Sequence, residues 1–203
     1  MSKYYFDHDY VYGLVPLFDF NLEKNIPTLY SSIALVFVSV LLAFIGVTNK
    51  KLNSSYMPWF GMAFVFLFLS IDEIHGIHEN LTIIVKNTFA TSGFLYYSWI
   101  IPYSIGLIIF IAFFSRFLLD LPKRTMILFL VSGTVFVSGA IGFELFGGRQ
   151  NELYGADNVL YCFFYTCEEL LEMLGIAIFI YTLIKYIIDQ FEYLMITVSS
   201  ENF

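Results

Sequence analysis

The chain has 203 residues, of which 59% are hydrophobic, 20% aromatic and only 13% charged, with a mean hydropathy of +0.75. Ordinary soluble domains carry about 25% charged residues, so a water-soluble fold is excluded and the composition is that of a polytopic membrane protein. A formal net charge of -7 and a pI near 4.8 exclude direct nucleic-acid binding, which needs a basic patch.

Residues 1–27 are polar and rich in Tyr and Phe, without the basic stretch and small-residue cleavage site of a secretory leader. They read as an arm at the extracytoplasmic interface, with Tyr4, Tyr5, Phe6, Tyr10, Tyr12, Phe18 and Phe20 among Asp7, Asp9, Asp19 and Glu23, and a solvated His8. Crossing about 30 Å of hydrocarbon takes about 20 apolar residues. Five segments suffice: 28–47, 57–79, 95–114, 125–146 and 158–184. The predicted fold is therefore all-α, a polytopic bundle of five transmembrane helices over residues 28–184, followed by a cytoplasmic tail, 185–203. Between the second and third segments, residues 80–92 are amphipathic and short enough to lie on the outer face. Gly147 and Gly148 are expected to stop the fourth segment, and Lys185 the fifth. Cys162 and Cys167, five apart on that fifth segment, point in different directions and cannot bridge.

Orientation follows from Lys and Arg, which cytoplasmic loops retain. One side of the bundle collects Lys50, Lys51, Arg116, Lys123, Arg124 and Lys185 out of ten such residues. The expectation is a plasma (inner) membrane protein with its N-terminus outside, its C-terminus in the cytoplasm and the lipid bilayer as its first partner.

An ionisable side chain in hydrocarbon costs roughly 2.5 to 3.5 kcal/mol on insertion scales, so such residues are placed with partners or a task. At 100° per residue, Asp72, His75, His78 and Glu79 share an arc of about 120° on the second segment, while Glu73 falls outside it. On the fifth, Glu168 and Glu172 are i and i+4 and align with Tyr161, Tyr165 and Gly175, leaving Glu169 aside. On the fourth, Glu144 shares a face with Gly133, Val137 and Ala140, small enough for a neighbouring helix to approach. The expected topology puts Asp72 about 6 Å, Glu168 about 4 Å and Glu144 about 13 Å outward of the mid-plane. Three helices thus bring acids to the same half of the bilayer, and one buried site between them gives each acid a partner other than lipid.

Carboxylates and imidazoles converging in a bundle are the materials of a metal centre, here for zinc, iron or manganese. The candidate ligands are Asp72, His75, His78, Glu79, Glu144, Glu168 and Glu172. Around them stand Glu73, Glu169, Tyr161, Tyr165 and Ser70, with Arg149 as a counter-ion at the outer mouth. The pattern departs from ferritin-like di-iron proteins, since only one helix carries an acid-x-x-His pair. Without metal, crowded carboxylates in a low dielectric hold some of their protons and can relay them, which makes proton or ion handling the second reading. An interhelical hydrogen-bond network that only specifies packing is the third. A serine hydrolase is set aside: Ser70 near Asp72 and His75 on one helix forms no triad and has no oxyanion-hole turn.

Two motifs, Ser70-x-Asp72-Glu73-x4-His78-Glu79 and Glu168-Glu169-x2-Glu172-Met173-x-Gly175, resemble the paired signatures of a broad group of small bacterial multi-pass membrane proteins. The resemblance covers segments two to five and implies that these acids and His78 act jointly, without implying a reaction. In size and segment number the chain is also similar to the multi-pass accessory proteins of type VI-B CRISPR loci. That similarity implies a non-enzymatic protein that modulates a nearby-encoded RNA-targeting effector in antiviral defence, through contact with the effector or through self-association.

Overall fold

The computed structural model describes residues 10–22 and 24–200, with side chains as far as Phe191. The aromatic and acidic residues expected in the arm before Tyr10, His8 among them, and Glu23 lie outside the described residues. The elements described are helical: α1 (Leu14–Phe18), α2 (Ile26–Lys51), α3 (Met57–His75), α4 (Ile77–Phe89), α5 (Ile100–Asp120), α6 (Lys123–Tyr154) and α7 (Val159–Ser200), with 3-10 turns at Val11–Gly13 and Gly93–Leu95. Five of them, α2, α3, α5, α6 and α7, are long and apolar enough to cross a membrane. The molecule is an all-α membrane protein.

Local chemistry explains the starts. The Asn25 side chain caps α2 by accepting the Thr28 N–H at 3.1 Å, and Pro27 occupies the first turn, where its missing N–H costs nothing. The ends depart from the sequence expectation in three places. The second span does not run on to Glu79 as one helix: Gly76, in the left-handed region at φ 56°, closes α3 and opens α4 in a new direction. Gly147 and Gly148 do not stop the fourth span, which continues to Tyr154. Both glycines are buried, and Gly148 has no room for a side chain: a Cβ there would stand 2.8 Å from the Tyr97 ring, whereas one at Gly147 would make ordinary contact with Phe164 at 3.6 Å. The fifth span passes Lys185, which pairs with Asp189 one turn on at 2.5 Å, and the helix extends to Ser200 through most of the expected tail.

Helices α2 and α3 are stitched by small hydroxyls. Ser70 Oγ donates to the Ser32 carbonyl at 3.0 Å, and Ser39 Oγ to the Ala63 carbonyl at 2.7 Å, as small polar residues do at helix crossings in lipid. Helices α6 and α7 cross closer still. A Cβ at Gly139 would stand 2.6 Å from the Glu168 carbonyl oxygen, and one at Gly175 2.8 Å from the Phe136 backbone nitrogen. Beside this contact α6 widens into a π-helical stretch, Ser138–Phe143, before Glu144. Such a stretch shifts the face that later residues present.

The apolar core lies toward the end that carries Lys50, Lys51 and Lys185. Val38, Leu42 and Ile45 of α2, Trp59 and Met62 of α3 and Leu183 of α7 are each no more than 1% exposed. Trp59 meets Phe117, Phe129 and Tyr186 with ring centroids 4.9 to 6.3 Å apart. The opposite half of the bundle holds a cavity.

Candidate functional site: an acidic cavity inside the bundle

The cavity has a volume of about 330 Å3 and is walled by α2, α3, α4, α6, α7 and the start of α5, with Phe20, Asn21 and Leu22 of the arm among its lining residues. Among the described residues, seven carboxyl groups line it: Asp72 and Glu73 from α3, Glu79 from α4, Glu144 from α6, and Glu168, Glu169 and Glu172 from α7. One imidazole, His78, stands among them, and no Lys or Arg of the described residues lines the cavity.

The break at Gly76 builds the best-defined part. It turns the chain so that His78, six residues on, faces back to Asp72. Asp72 Oδ1 accepts the His78 backbone N–H at 2.9 Å and lies 3.1 Å from His78 Nδ1. Asp72 Oδ2 accepts the Tyr103 hydroxyl at 2.6 Å. The carboxylate therefore satisfies a free N–H in the first turn of α4, orients the imidazole and anchors the start of α5. Burial would lower the His78 pKa, but the hydrogen bond and charge of Asp72, helped by Glu144 and Glu73, outweigh it and raise His78 above its ordinary value. The His78 ring also packs edge-on against Trp99 at 5.1 Å, and Trp99 against Tyr103 at 5.0 Å.

On the facing wall, Trp99 Nε1 donates to Glu144 Oε1 at 3.0 Å, and Glu168 lines the same cavity. Nearer the end of the bundle away from Lys50 and Lys185, the Asn151 amide donates to the Tyr97 hydroxyl at 2.6 Å, and Tyr97 and Tyr161 hydroxyls are 2.8 Å apart. Burial pushes the Tyr97 hydroxyl up, which keeps it protonated. The Tyr97 oxygen, which accepts from the Asn151 amide, keeps a second lone pair, so either tyrosine hydroxyl can donate to the other.

The structure thus brings six of the seven candidate ligands to one cavity and leaves His75 apart. His75 is exposed, with Nδ1 2.9 Å from the Ile71 carbonyl. Glu73 and Glu169, which the wheel turned aside, do line the cavity, as do Tyr161 and Tyr165. Ser70 is consumed by Ser32 in the α2–α3 seam, and Arg149 lies over the Phe94 ring at 4.7 Å instead of guarding the mouth. Among the described residues, no three His, Cys, Asp or Glu side chains gather closely enough to form a metal-binding group. Tyr97, Trp99, Tyr103 and Thr82 also line the cavity. The sequence reading missed them; the one signal available was the i, i+4 spacing of Trp99 and Tyr103.

The chain matches a family model described as a domain of unknown function, DUF8692, over residues 5–186. No curated protein and no solved structure matches it. The chain belongs to the DUF8692 family.

Proposed function

We propose that this integral membrane protein binds cations, as protons or as a metal ion, in the cavity within its bundle. The observation that carries this reading is the charge imbalance of the lining: among the described residues, seven carboxyl groups against one imidazole and no Lys or Arg. Negative charge held away from bulk water is tolerated only when a cation or protons neutralise it. The crowding of carboxyl groups from α3, α4, α6 and α7 around one cavity supports protons, since carboxylates close together in a low dielectric hold some of theirs. Zinc, iron or manganese remains the metal version, with His78 as the nitrogen donor beside the glutamates. If the basic end is cytoplasmic, the cavity belongs to the outer half of the membrane.

The test is elemental analysis of metal-loaded, detergent-purified protein, combined with infrared titration of its carboxyl bands. Both are run beside a Glu168→Gln, Glu172→Gln double variant. About one metal per chain that the variant loses supports the metal version, and protonated-carboxyl bands that titrate in the wild type and vanish in the variant support the proton version. The absence of both signals overturns the proposal. The cavity would then be a packing network, and an accessory role beside an effector would be the better reading.

A further inference from the structure

A single metal ion needs its donors gathered around one point, whereas these carboxyl groups are spread over the wall of a cavity of about 330 Å3. Glu168 and Glu172 alone, one turn apart on α7, are separated by about 6 Å along the helix axis. The volume sits at the lower end of the range for small-molecule pockets, about 300 to 1,000 Å3. Aromatic rings complete the lining: Tyr97, Trp99, Tyr103, Tyr161 and Tyr165.

Those rings stand at steep angles to their neighbours, Trp99 to Tyr103 at 83° and Tyr161 to Tyr165 at 73°, so that they form corners and not a flat stack. Their polar tips are already held: Tyr103 by Asp72, Trp99 by Glu144, and Tyr97 and Tyr161 by each other. The rings are fixed before any ligand arrives, which lowers the ordering cost of binding. Aromatic rings attract ammonium groups through their quadrupoles, and carboxylates accept ammonium N–H bonds. Leu35, Leu69 and Phe136 supply apolar wall for a short methylene chain. From this combination of distributed acid, fixed rings and apolar patches, with no Lys or Arg among the described lining residues, we infer that the cavity is a binding site for a small alkyl diamine or polyamine.

This inference rests on the reading of the cavity as a cation site, and the experiment separates the two. Detergent-purified full-length protein is equilibrated with radiolabelled spermidine or putrescine at fixed ionic strength, and bound label is counted. Fluorescence is followed in parallel, since the chain has two tryptophans, one lining the cavity (Trp99) and one in the apolar core (Trp59). The expected result is saturable binding of about one amine per chain, weakened at least about tenfold by Glu168→Gln and separately by Glu172→Gln. A fluorescence change that Trp99→Phe removes accompanies it. The two isosteric variants are checked by thermal melting, so that a misfolded one is set aside for the other. Spermidine bound equally by wild type and both variants would place it elsewhere and overturn the inference. Protons or zinc binding in a glutamate-dependent way, with no spermidine bound, would overturn the amine assignment and leave the cation reading standing. No cation of any kind would overturn both.

Discussion

Asp72 holds three groups with two oxygens, and its neighbours set a pH signature that can be measured. Because His78 has a folded-state pKa above its unfolded value of about 6.5, the stabilisation it contributes is fully present below that unfolded value. It is lost as pH rises through the folded value. Thermal melts of wild type and Asp72→Asn should therefore differ most near pH 6, by about 1 to 3 kcal/mol for lost bonds to a charged group, and converge partly at alkaline pH. A gap that widens with pH would contradict the geometry. Tyr103→Phe removes one of the three bonds and should cost about 1 kcal/mol, seen as a smaller fall in Tm with the pH profile kept. At this scale the sequence was half legible. Asp72 and His78 stood out because ionisable groups are rare in apolar runs. Their pairing was hidden, because a wheel assumes an unbroken helix and Gly76 breaks it. The Gly between two His residues was itself a readable left-handed cap signal.

At the scale of elements, length and hydropathy located all five spans, since the hydrocarbon thickness fixes how many apolar residues a helix needs. Their ends were less legible. Glycine pairs read as stops in isolation, yet Gly147 and Gly148 stay helical and buried, and at Gly148 the Tyr97 ring fills the space of a side chain. The π-helical stretch before Glu144 has no signature in composition. The α6–α7 crossing gives a sharp test. Gly139→Ala drives a methyl against the Glu168 carbonyl oxygen at 2.6 Å, backbone that no rotamer change relieves, whereas Gly142→Ala meets nothing within 4 Å. The first should lose about 1 to 3 kcal/mol by overpacking and the second nothing, measured as Tm in the same detergent. Equal effects would mean the crossing is looser than described.

For the whole molecule, the basic residues at one end and the acidic cavity at the other make a polarity that labelling can read. With Cys162 and Cys167, both unpaired, replaced by Ala, Ser92→Cys should react with an impermeant maleimide on intact cells. Ser54→Cys, in the exposed α2–α3 turn, should react only after permeabilisation. The reverse pattern would turn the molecule over and open the cavity to the cytoplasm. The convergence of acids from three helices was legible at this scale from depth alone. Of the rings, Tyr161 and Tyr165 were legible from the face they share with Glu168, whereas Tyr97, Trp99 and Tyr103 were not, because rings near a membrane surface also read as an interfacial belt.

The separation of apolar core from cavity also bears on how such a protein can change over generations. Trp59, Leu42 and Leu183 hold the helices together at one end, while the carboxyl groups and rings sit at the other. Exchanges of cavity side chains therefore leave the packing of the apolar core in place. Gly139 is different. There the packing of α6 touches the backbone of Glu168, so a change in the helix crossing also moves a carboxyl group of the cavity wall.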